Sequence, residues 1–295
     1  EAHGHSGQAS KDPDWRCEHV LKGHENWVQS LVVTKDWLVS GSYDRKIRVW
    51  RLGHWESTQS VLEGHTGYVV SLSANGEYLF SGSADETVRV WKLETWECVR
   101  ILEGHINWVR TLAVTRDHLF SGSDDKSIRM WSVGTWRCKR MLQGHTHYIY
   151  SLAVNGRFLF SGSDDQTIRI WRWGDGECQR VLRGHSSWVL SLAVSGDFLI
   201  SGDYTGAIRV WSLATWVCIR ELSGHTSWVR SLAVGGGLLF SGSYDMTIRV
   251  WRFGTWECIR VLKGHTGYVT AMAVIDKCLF SASADKTVRV WDRVA

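Results

Sequence analysis

Proline is almost absent from this 295-residue sequence, which contains only Pro13. Long apolar runs are absent too: no stretch reaches the roughly 18 residues of a membrane-spanning helix, and residues 1–10 lack the apolar core of a signal peptide. Blocks of like charge are missing, because 34 basic and 30 acidic residues are interspersed and leave a net charge of +4. These absences argue against a membrane protein, a secreted protein and a nucleic-acid-binding surface.

Cysteine spacings typical of disulfide frameworks or metal sites are also missing. Six of the seven cysteines recur at one position of a repeat, and the seventh is Cys278; the six are Cys17, Cys98, Cys138, Cys178, Cys218 and Cys258. Cysteines in successive repeat units are expected to lie too far apart for disulfides, and no Cys-x-x-Cys spacing occurs. We therefore expect free thiols and a reducing intracellular compartment, the cytoplasm or the nucleus.

The sequence does contain a repeat of about 40 residues, and it is rich in tryptophan, with 19 residues. Seven Gly-His pairs mark the repeat, at His24, His65, His105, His145, His185, His225 and His265. Each is followed by two apolar segments, a turn, and a third short apolar segment that ends in a tryptophan. These tryptophans are Trp50, Trp91, Trp131, Trp171, Trp211, Trp251 and Trp291.

The apolar segments are short, rich in Val, Ile, Leu and Phe, and bounded by Gly, Ser and Asp, which predicts strands rather than helices. A fourth such segment follows every repeat tryptophan except the last, while a matching segment, residues 15–22, precedes the first Gly-His pair. We predict an all-β ring with four antiparallel strands per repeat, in which the N-terminal strand completes the last unit and leaves no open edge.

These residues resemble the WD-repeat family over residues 15–292, which implies a seven-bladed β-propeller. The resemblance implies a structural tetrad of His, Ser, Asp and Trp in each blade. Besides the His and Trp residues above, the matching serines are Ser40, Ser81, Ser121, Ser161, Ser201, Ser241 and Ser281. The matching aspartates are Asp44, Asp85, Asp125, Asp165, Asp245 and Asp285. The fifth repeat has Thr205 there, so its tetrad is predicted to be incomplete.

Catalysis is not predicted, although His, Asp and Ser are the components of a nucleophilic triad. A catalytic triad is needed once, whereas this set recurs in nearly every repeat, as a folding requirement does. We predict no cofactor or metal: no phosphate-binding glycine loop occurs, and His3 and His5 have no further ligands nearby.

An arginine stands two residues before every repeat tryptophan. One interpretation is a ring of basic side chains that binds phosphate. The favoured interpretation is that the aliphatic stem of each arginine packs between blades while its guanidinium reaches solvent. The seven are Arg48, Arg89, Arg129, Arg169, Arg209, Arg249 and Arg289.

The position three residues after each repeat histidine is aromatic in all seven repeats. By the resemblance it lies at the channel mouth, where Trp and Tyr favour protein binding; packing between loops is the other interpretation. This predicted collar comprises Trp27, Tyr68, Trp108, Tyr148, Trp188, Trp228 and Tyr268. Two positions later the residues diverge, as recognition positions do: Gln29, Val70, Arg110, Tyr150, Leu190, Arg230 and Thr270.

The position before the tetrad aspartate, or before Thr205, also varies: Tyr43, Ala84, Asp124, Asp164, Tyr204, Tyr244 and Ala284. Asp124 and Asp164 are expected to attract a basic residue, and the tyrosines to extend the apolar side. We expect an extended peptide with a basic residue to bind across the mouth. A sugar or an ammonium group on the aromatic face is the alternative ligand.

Among WD-repeat proteins the sequence resembles propellers of F-box substrate receptors and those attached to RING ligases or α-kinases, which implies substrate recruitment in a ubiquitin-ligase adaptor or a related regulator. The receptors' phosphate-reading arginines match only Arg110 and Arg230, so a phosphorylated peptide is not favoured. We expect residues 1–14 to be a linker, residues 15–295 to form one monomeric propeller, and a further domain to precede it.

Overall fold

The computed structural model describes residues 14–55 and 57–294, without the side chains of residues 57–60. Within these ranges the chain is all-β, with 28 strands in seven four-stranded antiparallel sheets, which we call blades 1–7. The first strand is β1 (Asp14–Leu21). Blade 1 contains β2–β5: Val28–Val33, Trp37–Ser42, Ile47–Arg51 and Ser57–Leu62. Blade 2 contains β6–β9: Val69–Ala74, Tyr78–Ser83, Val88–Lys92 and Cys98–Leu102. Blade 3 contains β10–β13: Val109–Val114, His118–Ser123, Ile128–Ser132 and Cys138–Leu142.

The remaining blades repeat this pattern. Blade 4 contains β14–β17: Ile149–Asn155, Phe158–Ser163, Ile168–Arg172 and Glu177–Leu182. Blade 5 contains β18–β21: Val189–Ser195, Phe198–Asp203, Ile208–Ser212 and Cys218–Leu222. Blade 6 contains β22–β25: Val229–Gly235, Leu238–Ser243, Ile248–Arg252 and Cys258–Leu262. Blade 7 contains β26–β28: Val269–Ile275, Cys278–Ser283 and Val288–Val294.

Strand β1 supplies the fourth strand of blade 7, as the sequence predicts. It pairs antiparallel with β28, from Asp14 opposite Val294 to Leu21 opposite Val288. The backbone ladder therefore joins the two ends of the described chain, and the ring closes without an unpaired half-blade. The prediction of closure by the N-terminal strand is confirmed.

The hydrophobic core lies between neighbouring blades. Seven clusters of buried side chains each combine residues of two adjacent blades. At the closure, Leu21 and Phe280 of blade 7 pack with Val28 and Trp50 of blade 1. Because every blade has two neighbours, burial of apolar area favours the complete ring over any single blade.

A tetrad of His, Ser, Asp and Trp forms in all seven blades and fixes each Gly-His loop to its sheet. The histidine Nδ1 lies 2.6–2.7 Å from an aspartate Oδ2. The histidine Nε2 lies 2.6–2.8 Å from the serine Oγ. The tryptophan N–H donates to the same Oγ at 2.8–2.9 Å. An ionised aspartate only accepts, so Nδ1 donates to it and Nε2 accepts the serine O–H.

The tetrad also determines the protonation of its aspartate. Burial opposes the ionisation of Asp44, but hydrogen bonds from His24 and from the backbone N–H groups of Glu25 and Lys46 outweigh it and lower its pKa to about 2. The pKa values of the other tetrad aspartates are lowered for the same combination of reasons. The carboxylates are therefore ionised at neutral pH.

The prediction of an incomplete fifth tetrad is wrong. Asp203 takes the place of the missing turn aspartate, and its Oδ2 lies 2.7 Å from His185 Nδ1. It stands where the other blades have the second serine of Ser-Gly-Ser or, in blade 7, Ser-Ala-Ser, and Thr205 donates its hydroxyl to Asp203 Oδ1 at 2.6 Å. The carboxylate thus comes from the end of strand β19, because side-chain reach, and not residue position alone, decides which group meets the histidine.

A second circle of aromatic side chains, in addition to the collar, lies on the propeller face opposite the Gly-His loops. One tryptophan per blade packs on an aromatic ring of the preceding blade, with centroids 4.9–5.9 Å apart. These wedge tryptophans are Trp15, Trp55, Trp96, Trp136, Trp173, Trp216 and Trp256. Five have φ of 55–63°, a left-handed conformation that bulky residues rarely adopt, so their packing must offset local strain.

The repeated arginines are half-buried, so the guanidinium groups expected to reach solvent do so only in part. Each guanidinium packs against the glycine of the preceding Gly-His pair, and every Nε is buried without a hydrogen-bond partner. In five blades Nη1 instead reaches a cysteine sulfur on the outer strand. The arginine therefore links the loop to the outermost strand.

Four further expectations concern the cysteines, a membrane span, a metal site and the N-terminal linker. All seven cysteines are free. In the described ranges, no helix is long and apolar enough to cross a membrane, and no three His, Cys, Asp or Glu side chains are grouped for a metal ion. The linker expected at residues 1–14 falls outside the described residues except for Asp14, which begins β1, and His3 and His5 lie outside them entirely.

Candidate functional site

The innermost strands of the blades surround a channel of about 170 Å³. The second to fourth residues of each innermost strand line it, near the end that carries the Gly-His loops, which we call the Gly-His face. The seven divergent positions predicted from the sequence all lie in this lining: Gln29, Val70, Arg110, Tyr150, Leu190, Arg230 and Thr270. The prediction that the repeats differ around the channel is therefore consistent with where these side chains lie.

The collar aromatics meet one another around the channel mouth. Ring contacts run without interruption from Trp188 through blades 6, 7, 1 and 2 to Trp108. Both interpretations of the collar are thus compatible with the geometry, since the rings pack between loops and also form one surface. We call this series of rings the closed arc.

The residue before the tetrad turn determines how tightly the arc packs. Tyr244 inserts between the collar rings of blades 6 and 7, with centroids 4.4 Å from Trp228 and 4.3 Å from Tyr268. Tyr43 and Tyr204 insert in the same way in blades 1 and 5. Where Ala84 or Ala284 stands at this position, the neighbouring collar rings meet directly, edge to face at 5.8–5.9 Å.

The collar is interrupted at blade 4. Tyr148, the collar residue of that blade, has no ring contact among the described residues and is 39% exposed. The turn positions on its two sides carry Asp124 and Asp164 instead of an aromatic or alanine. We call the region around Tyr148, Asp164 and the adjoining loop of blade 3 the open sector.

Asp124 does not offer a free carboxylate to a partner, because Arg110 already binds it. Arg110 Nε lies 2.9 and 3.0 Å from the two carboxylate oxygens, and Nη2 lies 2.7 Å from Oδ2. Burial opposes the charge of Arg110, but the bonds to Asp124 outweigh it and raise the arginine pKa. Arg110 also stacks 4.3 Å from the Trp108 ring centroid, so the pair forms one edge of the open sector.

Asp164, by contrast, has no hydrogen-bond or ion-pair partner among the described side chains. Burial raises its pKa, and the nearby Asp165 and Asp124 add to this effect, whereas His147 opposes it. An anion that is partly desolvated and unpaired gains more from an incoming cation than a hydrated one does. Asp164 is therefore the acidic position of the predicted peptide site that remains available.

Two further predicted residues face the channel. Tyr150 is stacked on Trp188 at 6.0 Å, and burial raises its pKa to about 12, so its hydroxyl stays protonated. Arg230 makes one long hydrogen bond, 3.4 Å, to the Leu190 carbonyl, and no carboxylate pairs with it in the described structure. Among the described residues, Arg230 of blade 6 thus lacks a carboxylate partner, and Asp164, two blades away, lacks a cationic one.

Sequence reasoning missed Ile106. It follows the Gly-His pair of blade 3, where the other repeats have Glu, Thr or Ser, and it is 80% exposed beside Trp108. A large aliphatic side chain at this exposure, next to a break in an aromatic surface, is typical of a contact residue. Comparing the residue after each Gly-His pair across the repeats would have revealed it.

The geometry weakens the two other functions considered. The tetrad serines are 0% exposed, and their Oγ atoms already bond both His and Trp, so no substrate reaches them. Neighbouring rings stack on Trp228, Tyr244 and Tyr268 of the closed arc, and Arg110 covers Trp108, so these aromatic faces are not free to form a cage for a sugar or an ammonium group.

Comparison with known proteins agrees with this architecture. The family model described as WD domain, G-beta repeat matches seven times, over residues 15–51, 56–92, 96–132, 136–172, 176–212, 216–252 and 256–292. The chain therefore belongs to the WD-repeat family, whose propellers generally act as protein-interaction scaffolds. The pre-mRNA-splicing factor prp46 of Aspergillus fumigatus is 43% identical over 42 residues, which are 14% of this chain and 9% of prp46.

Proposed function

We propose that the propeller recruits a partner protein by binding an extended segment of it across the channel mouth, with its main contacts in the open sector. The observation that carries the proposal is the break in the collar. Elsewhere the rings satisfy one another, whereas here an exposed Tyr148, an exposed Ile106 and an unpaired Asp164 share one region. Exposed apolar groups beside an unpaired charge provide both affinity and specificity.

The chemistry of the open sector favours a segment with a basic residue next to an apolar one. A lysine or arginine would pair with Asp164, and an apolar side chain would contact Ile106 and Tyr148. Arg110 forms a poor phosphate site because Asp124 neutralises it. The support thus favours a basic, unphosphorylated segment over a phosphorylated one.

The experiment selects peptides from a random display library on the wild-type propeller and measures their affinity for variants by calorimetry. Ile106→Thr and Asp164→Ala introduce residues that the chain itself has at equivalent positions of other blades, which preserves folding. Each variant is expected to weaken binding by about fivefold to thirtyfold, the usual range for one good contact. Trp188→Ala, at the edge of the closed arc, is expected to weaken it further.

Met246→Lys is the matched control. Met246 is exposed in a turn of blade 6 on the same face but beside the closed arc, and Lys126 and Lys286 hold the equivalent positions. The affinity of the Met246→Lys variant for the selected peptides is expected to stay within about twofold of wild type. Equal binding by Ile106→Thr, Asp164→Ala and the wild type would refute the open-sector site, and selected peptides rich in acidic or phosphorylated residues would refute the basic segment.

The free cysteines and the similarity to prp46 also bear on this proposal. Free, partly exposed cysteines are consistent with an intracellular protein. The prp46 match is about one repeat long, so we attach no splicing role to this chain.

A further inference from the structure

The outer strands carry five cysteines, each paired with an arginine of the neighbouring strand, that the proposed function does not use. In each pair the arginine Nη1 lies 3.5–3.8 Å from the sulfur. The pairs are Arg89 with Cys98, Arg129 with Cys138, Arg169 with Cys178, Arg249 with Cys258 and Arg289 with Cys17. A nucleophilic sulfur and a permanent cation thus adjoin each other in five of the seven blades.

Four of these cysteines are exposed, while Cys17 is half-buried. Each exposed sulfur also contacts the carbonyl of an exposed arginine two residues later, at 3.4–3.5 Å, which fixes the thiol against the strand. Cys138 has the most basic surroundings, because Arg137, Lys139 and Arg140 flank it in sequence and are all exposed. Cysteines in exposed, electropositive surroundings are the ones that react.

We propose that the four exposed pairs, with Cys138 foremost, are sites of reversible S-thiolation by a small anionic disulfide of the glutathione type. The thiol gives its proton to solvent, and the sulfur electron pair attacks one sulfur of the disulfide. The old S–S bond breaks, a new protein–thiol S–S bond forms, and the other half leaves as a thiolate. The disulfide is the oxidant, and a free thiol reverses the reaction.

The arginines contribute to this exchange in two ways. Negative charge spreads over three sulfurs in the transition state, and a guanidinium within 4 Å of the attacking sulfur stabilises it. The surrounding cations also concentrate an anionic reagent near the strand, an effect that a neutral disulfide does not experience. A preference for the anionic over the neutral disulfide therefore distinguishes this electrostatic effect from the effect of cysteine exposure alone.

The chain contains its own controls. In blade 5 Arg209 donates to Glu221 at 2.8 Å instead of to Cys218, and the equivalent of Glu221 in blade 4 is Val181. In blade 7 Cys278 is half-buried with its sulfur 2.8 Å from Asp292, and burial together with this carboxylate raises the thiol pKa to about 12. Cys218 and Cys278 are therefore expected to be slow.

The experiment treats the protein with glutathione disulfide at pH 7.5 and low salt, and follows each cysteine by site-resolved mass spectrometry. Neutral hydroxyethyl disulfide is the parallel probe. We expect Cys138 to react at least about fivefold faster than Cys218 with glutathione disulfide, and this ratio to fall by about half or more with the neutral probe or at high salt. Equal ratios with both probes and at both salt concentrations would mean that exposure alone sets the rates, which would overturn the proposal.

Two variants change the charge with residues already used elsewhere in the chain. Arg137→Glu copies the residue before Cys98 and is expected to lower the Cys138 rate towards that of Cys98, while Lys139 keeps it somewhat faster. Glu221→Val copies blade 4 and is expected to raise the Cys218 rate severalfold, because Arg209 becomes free to approach the sulfur. Unchanged rates at both sites in variants that melt like the wild type would also overturn the proposal.

Discussion

Replacing Trp15 by alanine tests whether the N-terminal strand closes the ring. Trp15 is 8% exposed and packs edge to face on Phe240 of blade 6, 5.2 Å between centroids. Trp256 fills the equivalent slot one blade earlier, is 7% exposed, and packs on Phe198 at 5.4 Å. Trp256 therefore provides an internal reference for the same substitution within an uninterrupted stretch of chain.

The expected loss of unfolding free energy follows from the burial of each tryptophan and from one buried N–H without a hydrogen-bond partner. Truncating a buried tryptophan to alanine costs about 3–5 kcal/mol of unfolding free energy, which we expect for Trp256→Ala. The indole N–H of Trp15 is buried without a hydrogen-bond partner, so its removal offsets about 1 kcal/mol of the cost of truncation. We therefore expect Trp15→Ala to cost about 2–4 kcal/mol, and Trp15→Phe, which keeps a ring but loses the N–H, about 1 kcal/mol or less.

Urea denaturation of the wild type and the three variants measures these differences, with fluorescence and circular dichroism as independent probes. Similar m-values would show that the denatured states remain comparable. If Trp15→Ala cost less than about 0.5 kcal/mol, as an exposed residue does, while Trp256→Ala cost more than about 3 kcal/mol, the strand would not close the ring.

Three further predictions concern the tetrads and the thiols. Asp203→Ala is expected to destabilise the protein by about 2 kcal/mol in urea, like Asp245→Ala, whereas Thr205→Ala costs less; the reverse order would contradict the fifth tetrad. The folded-state pKa of Asp44, about 2, lies below its ordinary 3.8, so the stability it contributes is present above pH 4 and lost as pH falls from about 4 to 2; melting temperatures that do not change over this range would contradict it. At pH 7.5 Cys278 is expected to be the last thiol alkylated by iodoacetamide, since its pKa of about 12 leaves little thiolate, and labelling as fast as that of the exposed cysteines would contradict this.

The repeat made the fold predictable from sequence. Seven repeats, spaced 40 or 41 residues apart, fix the number of blades, and the surplus segment at residues 15–22 matches the segment missing after Trp291. Such predictions need only the count and order of strands, because closing a ring of identical units leaves one place for an unpaired strand. The collar and channel positions were found in the same way.

Contacts between unlike side chains were not predictable by position. Asp203 reaches His185 from two residues before the expected site, and Arg110 reaches Asp124 fourteen residues away along the chain. Both depend on side-chain length and direction, which a repeat alignment does not contain. The wedge tryptophans did leave a signal, since most stand two residues before a repeat cysteine, but only the structure shows that they pack on the preceding blade.

The most direct test of the central claim is hydrogen–deuterium exchange of the propeller with and without a library-selected peptide. Binding in the open sector predicts slower exchange in the loops at residues 104–109 and 144–149 and in the turn at 163–166. The turns at residues 75–77 and 115–117, on the opposite face, are expected to exchange at unchanged rates. Protection confined to those opposite turns, or to the outer strands, would contradict recruitment through the Gly-His face.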